Sequence, residues 1–125
     1  MIKVVKKIDE IWHNPWGLDI YLSSPERKDI EMALSANDLD SRPFNIDGVF
    51  NEELGREWKK NAKNIQEVAE NFKKYNAKRI AFLVKFPSDK LIVLKNAGGE
   101  IDDGSHRYEA AIYRKITELE VEIKV

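Results

Sequence analysis

Residues 101–111 read Ile-Asp-Asp-Gly-Ser-His-Arg-Tyr-Glu-Ala-Ala. A strand end runs into a glycine, and a helix follows. The first amides of a helix lack intrahelical partners, and the aligned peptide dipoles add partial positive charge there. An anion therefore finds a ready site at Ser105 to Arg107. Gly104 lets the backbone approach that anion closely. Ser105 supplies a hydroxyl, His106 an imidazole, and Arg107 a guanidinium shaped for two phosphate oxygens. Asp102 and Asp103 flank the turn and are candidates to hold a divalent cation against the phosphates. Glu109, one helical turn past Ser105, is placed to orient that hydroxyl or to act as a base; a solvated helix position explains it equally well. A plainer explanation covers the same residues. Gly-Ser before a helix is a common cap, and Arg107 can simply pair with a nearby Glu.

Other residues raise the same question with weaker answers. His13 stands beside Trp12, Asn14, Pro15 and Trp16, but one imidazole without partners makes no metal site. Trp12, Trp16 and Trp58 have faces on which a base can stack. Trp58 falls on an apolar helical stripe and is read as core, whereas Trp12 and Trp16 suit a partner surface. The run Lys73-Lys74-Tyr75-Asn76-Ala77-Lys78-Arg79 is basic. It reads as a solvated helix end, favoured by the dipole, rather than as a DNA patch.

The elements that must position these residues can be read from periodicity. Met1 to Ile8 carries β-branched residues at Ile2, Val4, Val5 and Ile8; Asn14-Pro15-Trp16-Gly17 is turn chemistry; Gly17 to Leu22 alternates apolar and polar. Together they predict an N-terminal β-hairpin over residues 1–28. Ile30, Met32 and Leu34 alternate with polar residues and predict a short strand over 29–34. Residues 35–51 hold Asp, Asn, Ser, Pro and Gly, a loop composition, and Asn51 suits an N-cap. Trp58, Ala62, Ile65, Ala69 and Phe72 recur at helical spacing, which predicts a helix over 52–75. Gly55 and the polar run Lys59 to Lys63 are the places where it would split. Arg79–Phe86 and Lys90–Lys95, joined by Pro87-Ser88-Asp89, read as a hairpin. Glu100 to Asp102 reads as a very short strand, Ser105–Lys115 as a helix, and Glu118–Val125 as a strand with one buried face. The fold class is α+β, with helices on one side of a mixed sheet.

Composition bounds the remaining classes. A chain of 125 residues with 42% hydrophobic content supports one domain-sized core and argues against disorder throughout. Lys plus Arg number 21 and Asp plus Glu 22, a net charge of −1, so a general DNA-coating role is disfavoured. The absence of cysteine removes disulfides, thiolate zinc sites, iron–sulfur clusters and cysteine nucleophiles. The longest apolar run is Ile80 to Val84, too short to span a membrane. No signal-peptide core opens the chain, so a soluble cytoplasmic protein is expected. Charged residues are 34% of the chain, above the usual quarter.

The string from Asp102 to Ala111 resembles the signature of the ParB/sulfiredoxin superfamily, whose members carry a Gly-x-His-Arg or Gly-x-Arg-Arg turn at a helix start. It is most similar to the sulfiredoxin form, Gly-Cys-His-Arg-Tyr. Ser41-Arg42-Pro43 is similar to the Arg-Pro segment that precedes the long helix in sulfiredoxins. The helix around Ala62 to Phe72, the hairpin over 79–95 and the last strand fall in the matching order. The resemblance covers about residues 29–125 and leaves 1–28 as an added element. It implies a ParB/sulfiredoxin-like mixed sheet with helices packed on it, and a nucleotide-binding domain over 29–125. It also implies that Gly104, His106 and Arg107 bind nucleotide phosphates and that Arg42 reaches the same phosphates. Lys63, Asn64 and Asn71 become candidate polar contacts from the helix before the hairpin.

Departures from the family pattern narrow the activity. Sulfiredoxins use the cysteine of this turn to attack a phosphorylated sulfinate; here that position is Ser105, so sulfinate repair by that route is excluded. ParB partition proteins have a more arginine-rich turn and a separate helix-turn-helix region, and neither is present. The same fold family includes an archaeal kinase of free serine with an Asp-Gly-x-His-Arg turn, which Asp103 to Arg107 matches. The implied function is binding of ATP or CTP with Mg²⁺, coupled to phosphoryl transfer or nucleotide hydrolysis. In that reading Asp103, His106 and Glu109 are catalytic and Asp102 and Asp103 hold the metal. Arg42, Lys63, Asn64, Gly104, Ser105, His106 and Arg107 bind the nucleotide. Two alternatives stand beside it. One is a non-catalytic nucleotide-sensing or DNA-associated module of ParB type. The other is a ParB-like nuclease built on Asp102, Asp103 and Glu109, for which the sequence offers no second carboxylate cluster.

Overall fold

The alternation Leu119, Val121, Ile123 at the end of the chain sets the register of a sheet. In the computed structural model, which describes residues 1–12, 25–42 and 62–124, four strands form that sheet. They are β1 (Ile2–Lys7), β2 (Ile92–Leu94), β3 (Ile101–Asp103) and β4 (Glu118–Ile123), in the order β1-β4-β2-β3. β4 runs antiparallel to β1, from Ile2 opposite Ile123 to Lys7 opposite Glu118. It runs parallel to β2, with Ile92 opposite Val121, and β2 is antiparallel to β3.

Period-two geometry then sorts the side chains. Ile92, Leu94, Ile101 and Val121 share one face and form a buried cluster with Ile11, against which Val4, Tyr108, Leu119 and Ile123 pack. The opposite face carries Lys3 across from Glu122, Val5 across from Glu120 and Lys7 across from Glu118. The two cross-strand Lys–Glu pairs suit solvent. The helix Ser105–Tyr113 covers β2 and buries Ala110 and Ala111, whose small side chains permit close approach. Tyr108 of this helix donates its hydroxyl to the Ile11 carbonyl at 2.9 Å. Burial first, and the charge of Glu109 second, raise the Tyr108 phenol above its ordinary value and keep it a donor. Ile11 follows a short 3₁₀ turn, Ile8–Glu10, and Trp12 bridges to Glu100.

Contact density divides the chain into two units, Met1–Asn14 with Phe82–Val125, and Pro15–Ala81. The sheet belongs to the first. The second contains the helix Arg27–Ser35 and most of the helix Ile65–Lys85. In chain order the helices are α1 (Arg27–Ser35), α2 (Ile65–Lys85) and α3 (Ser105–Tyr113).

The mixed α+β class agrees with the sequence, but two strands become helices. Residues 29–34 lie within α1 instead of forming a strand. Ile30 and Ala33, one turn apart, are buried, while Met32 is 69% exposed. The i, i+3 relation therefore prevails over the i, i+2 alternation. A capping box settles the start: the Glu26 amide donates to the Asp29 carboxylate at 2.8 Å, and the Glu26 side chain accepts from the Asp29 amide. Residues 79–86, expected as the first strand of a hairpin, form the end of α2, so no hairpin spans 79–95. Phe72, Tyr75, Asn76, Ile80 and Leu83 are all buried at spacings that trace a helical stripe. Pro87 then disfavours further helix. At the other end of α2, Asn64 is the cap, accepting from the Glu67 amide at 3.0 Å; residues 52–61 of the expected 52–75 helix lie outside the described residues.

The C-terminal elements follow the sequence closely. β2, β3, α3 and β4 all lie where periodicity and turn chemistry put them. β1 occupies its expected place, paired with β4. The turn at 14–17 and the strand at 17–22, which would complete the N-terminal hairpin, lie outside the described residues. So do His13, Trp16, Pro43, Asn51, Gly55 and Trp58.

Candidate functional site

Gly104 is the hinge of the 101–111 segment. It has φ +111° and ψ 26° and forms the N-cap of α3. Its carbonyl accepts the first helical hydrogen bond from the Tyr108 amide at 2.8 Å. Only glycine takes this backbone conformation without strain. A glycine cap has no side chain to satisfy the first amides, and the first turn of α3 holds no acidic residue. The positive end of this helix is the place where an anionic acceptor is favoured.

Arg107 lies over the same glycine. A Cβ at position 104 would stand 3.0 Å from Nη2 and 3.2 Å from Nε of its guanidinium. The side chain is 18% exposed. Its Nη2 donates to the Leu91 carbonyl at 3.3 Å and to the Asp103 carboxylate at 3.4 Å. Both contacts are long. Its Nε is buried without a hydrogen-bond partner, an arrangement that leaves donor capacity unused. Asp103 is 67% exposed, so its hold on Arg107 is screened by water. Ser105, His106 and Glu109 are half-buried around the turn.

The two aspartates part company. Asp103 pairs with Arg107 on the face that carries Ile101 and α3. Asp102 pairs with Lys124 at 2.6 Å, on the face that carries the Lys–Glu pairs. Consecutive strand residues leave in opposite directions, so Asp102 and Asp103 do not converge on one cation. Among the described residues no group of three or more His, Asp or Glu side chains is placed to hold a metal.

The remaining expected contacts belong to the other unit and have structural partners of their own. Arg42 makes a two-pronged bond to Asp40, Nε to Oδ1 at 3.0 Å and Nη2 to Oδ2 at 2.7 Å. Burial works against the charged form of Asp40, but the Arg42 bonds and charge, with Arg79 behind them, hold its carboxyl below the usual range. Tyr75 donates to the Arg42 carbonyl at 2.7 Å, and Arg79 to the Ser41 carbonyl at 3.0 Å. Burial, chiefly, raises the Tyr75 phenol far above its ordinary value. This network ties residues 40–42 to α2. The Lys63 amide donates to Glu67 at 2.6 Å, Asn64 caps α2, and Asn71 lies half-buried along that helix.

The structure thus brings together Asp103, Gly104 and Arg107, and turns Asp102 away. It also adds residues that the sequence did not single out. Lys90 and Arg114 line a cleft of about 190 Å³ together with Arg107. Their sequence neighbours suggest only a turn and a helix end, so no motif marks them.

No family model, curated protein or solved structure matches this chain.

Proposed function

We propose that the chain is a nucleotide-binding module of ParB/sulfiredoxin type, with the Gly104–Arg107 turn as the seat of the phosphates of ATP or CTP. One observation carries the reading. α3 begins at a left-handed glycine with neither a capping side chain nor a first-turn acid, and the guanidinium of Arg107, with its buried Nε unpartnered, lies against that glycine. An entering phosphate would take the first amides of α3 and draw Arg107 from its long bond to the exposed Asp103 carboxylate. Ser105 and His106 would add a hydroxyl and an imidazole. Mg²⁺ travels with nucleoside triphosphates, but Asp102 and Asp103, paired with Lys124 and Arg107 on opposite faces of β3, do not fit a shared cation. Binding without turnover is the form that the ion pairs of these aspartates favour.

Thermal shift with ATP, CTP, GTP and ADP, each with and without Mg²⁺, tests the reading, since a ligand of the folded state must raise its melting temperature. A rise with at least one triphosphate is expected. Ser105→Glu should abolish it while leaving the free protein as stable or more so, because a first-turn carboxylate complements the helix dipole but repels phosphate. No rise with any nucleotide at millimolar concentration, or equal binding by Ser105→Glu, would reject the site. Release of labelled phosphate in the same samples decides between binding and hydrolysis.

A further inference from the structure

The cleft of about 190 Å³ in the sheet-bearing unit is built from two kinds of surface. Leu83, Ile92, Ala111, Ile116 and Leu119 give it an apolar floor. Lys90, Arg107 and Arg114 stand around it, with Glu120 as the one carboxylate of the lining. Lys90 and Arg114 are exposed, and neither side chain has a carboxylate partner among the described residues. Arg107 is the third cation of the lining. Asp103, outside the lining, offsets Arg107 in part, so Lys90 and Arg114 against Glu120 leave the excess of positive charge beside the apolar floor, and clefts focus such a field.

We infer that this cleft binds a small organic anion, a carboxylate or phosphate head on a compact apolar body. The head meets Arg114 and Lys90 at the rim and the guanidinium of Arg107 deeper in; the body covers Leu119 and Ile116. Its volume lies below the roughly 300–1,000 Å³ of pockets for drug-sized molecules, which limits the body to about one ring or a short branched chain. Ser88, also in the lining, offers a hydroxyl to the same head. The three cations set the sign of the ligand, and the apolar floor separates it from a bare inorganic ion.

The cleft shares Arg107 with the proposed phosphate seat, but Lys90 and Arg114 lie outside the Gly104–Arg107 turn, so the two readings are tested apart through them. It is tested on the full chain by amide chemical-shift titration with benzoate, phenyl phosphate, inorganic phosphate and the neutral benzyl alcohol. Benzoate or phenyl phosphate should shift Ala110, Ala111, Ile116 and Leu119 saturably. Benzyl alcohol and inorganic phosphate should each bind at least roughly tenfold more weakly, one lacking the charge and the other the apolar body. Arg114→Ala and Lys90→Ala remove exposed side chains and should keep the fold while weakening benzoate binding about three- to tenfold each. Arg114→Ala should leave any nucleotide-induced thermal shift unchanged, so failure of one site is distinguishable from failure of the other. Equal binding of benzyl alcohol, shifts confined to other residues, or no saturable binding by either aromatic anion would overturn the inference.

Discussion

Replacing Gly104 by alanine tests the central geometry most directly. Its φ of +111° lies outside the regions open to a residue with a Cβ, and holding such a residue there costs about 1–3 kcal/mol. The new methyl would also stand 3.2 Å from the Ile92 Cα, a backbone atom that cannot swing aside, and 3.0 Å from the Arg107 Nη2. The guanidinium can move, but only by giving up the Leu91 carbonyl and Asp103. Crowding of this kind adds about 1 kcal/mol or more. The total is about 3 kcal/mol, or a fall of about 12 °C in melting temperature for a chain of this size. Urea unfolding followed by far-ultraviolet circular dichroism measures the loss. Gly98→Ala is the control: its Cβ would crowd only the Asn96 side-chain amide, Oδ1 at 2.8 Å, which can rotate, so a cost below about 1 kcal/mol is expected. In the Arg107→Ala background, Gly104→Ala should recover the guanidinium share alone and still cost about 2 kcal/mol. If Gly104→Ala unfolds at the wild-type urea concentration, or no earlier than Gly98→Ala, the left-handed turn and the guanidinium laid over it are wrong.

Two further outcomes concern the helical unit. The folded pKa of Asp40 lies below its ordinary 3.8, so its pairing contributes in full above that value and is lost as pH falls through the lower, folded one. Asp40→Asn should therefore flatten the acid limb of stability below about pH 4, and an unchanged limb in denaturation between pH 2 and 7 would refute the pairing. Ile30→Ala should cost about 2–4 kcal/mol and Met32→Ala less than about 0.5; equal costs in urea unfolding would restore the strand reading of residues 29–34.

What was legible in the sequence had two independent signals pointing the same way. β4 had strict alternation, Leu119-x-Val121-x-Ile123, and its polar positions were all charged. α3 had a glycine at its start and an apolar stripe in its body. Residues 29–34 carry only one clear signal, because Ile30 and Leu34 satisfy both periods. The capping box between Glu26 and Asp29 was the second signal that would have decided it. Residues 80–84 form an uninterrupted apolar run, which has no period at all. There the length of the preceding stripe, from Phe72 through Ile80, has to arbitrate, and ending the expected helix at residue 75 conceals it. Asn76 is fully buried in the helix interior, an unusual place for an asparagine.

The candidate site was legible as a turn and not as a set of partners, for a physical reason. Adjacent letters on a helix or turn share a neighbourhood, whereas adjacent letters on a strand are sent to opposite faces. Asp102 and Asp103 look like a chelating pair because they are neighbours in sequence. β3 separates them, and each finds its cation elsewhere: Lys124 comes from the end of β4 and Arg107 from the first turn of α3. The same rule makes the pairing of Asp103 with Arg107 informative. An acid on the last residue of a strand, a left-handed glycine and a helix arginine form a closed loop of contacts in which the carboxylate is exposed and the guanidinium is mostly covered. The weaker partner is thus the one facing water. On the proposed reading, an anion that binds the helix start more strongly than a solvated carboxylate would displace it without uncovering the arginine.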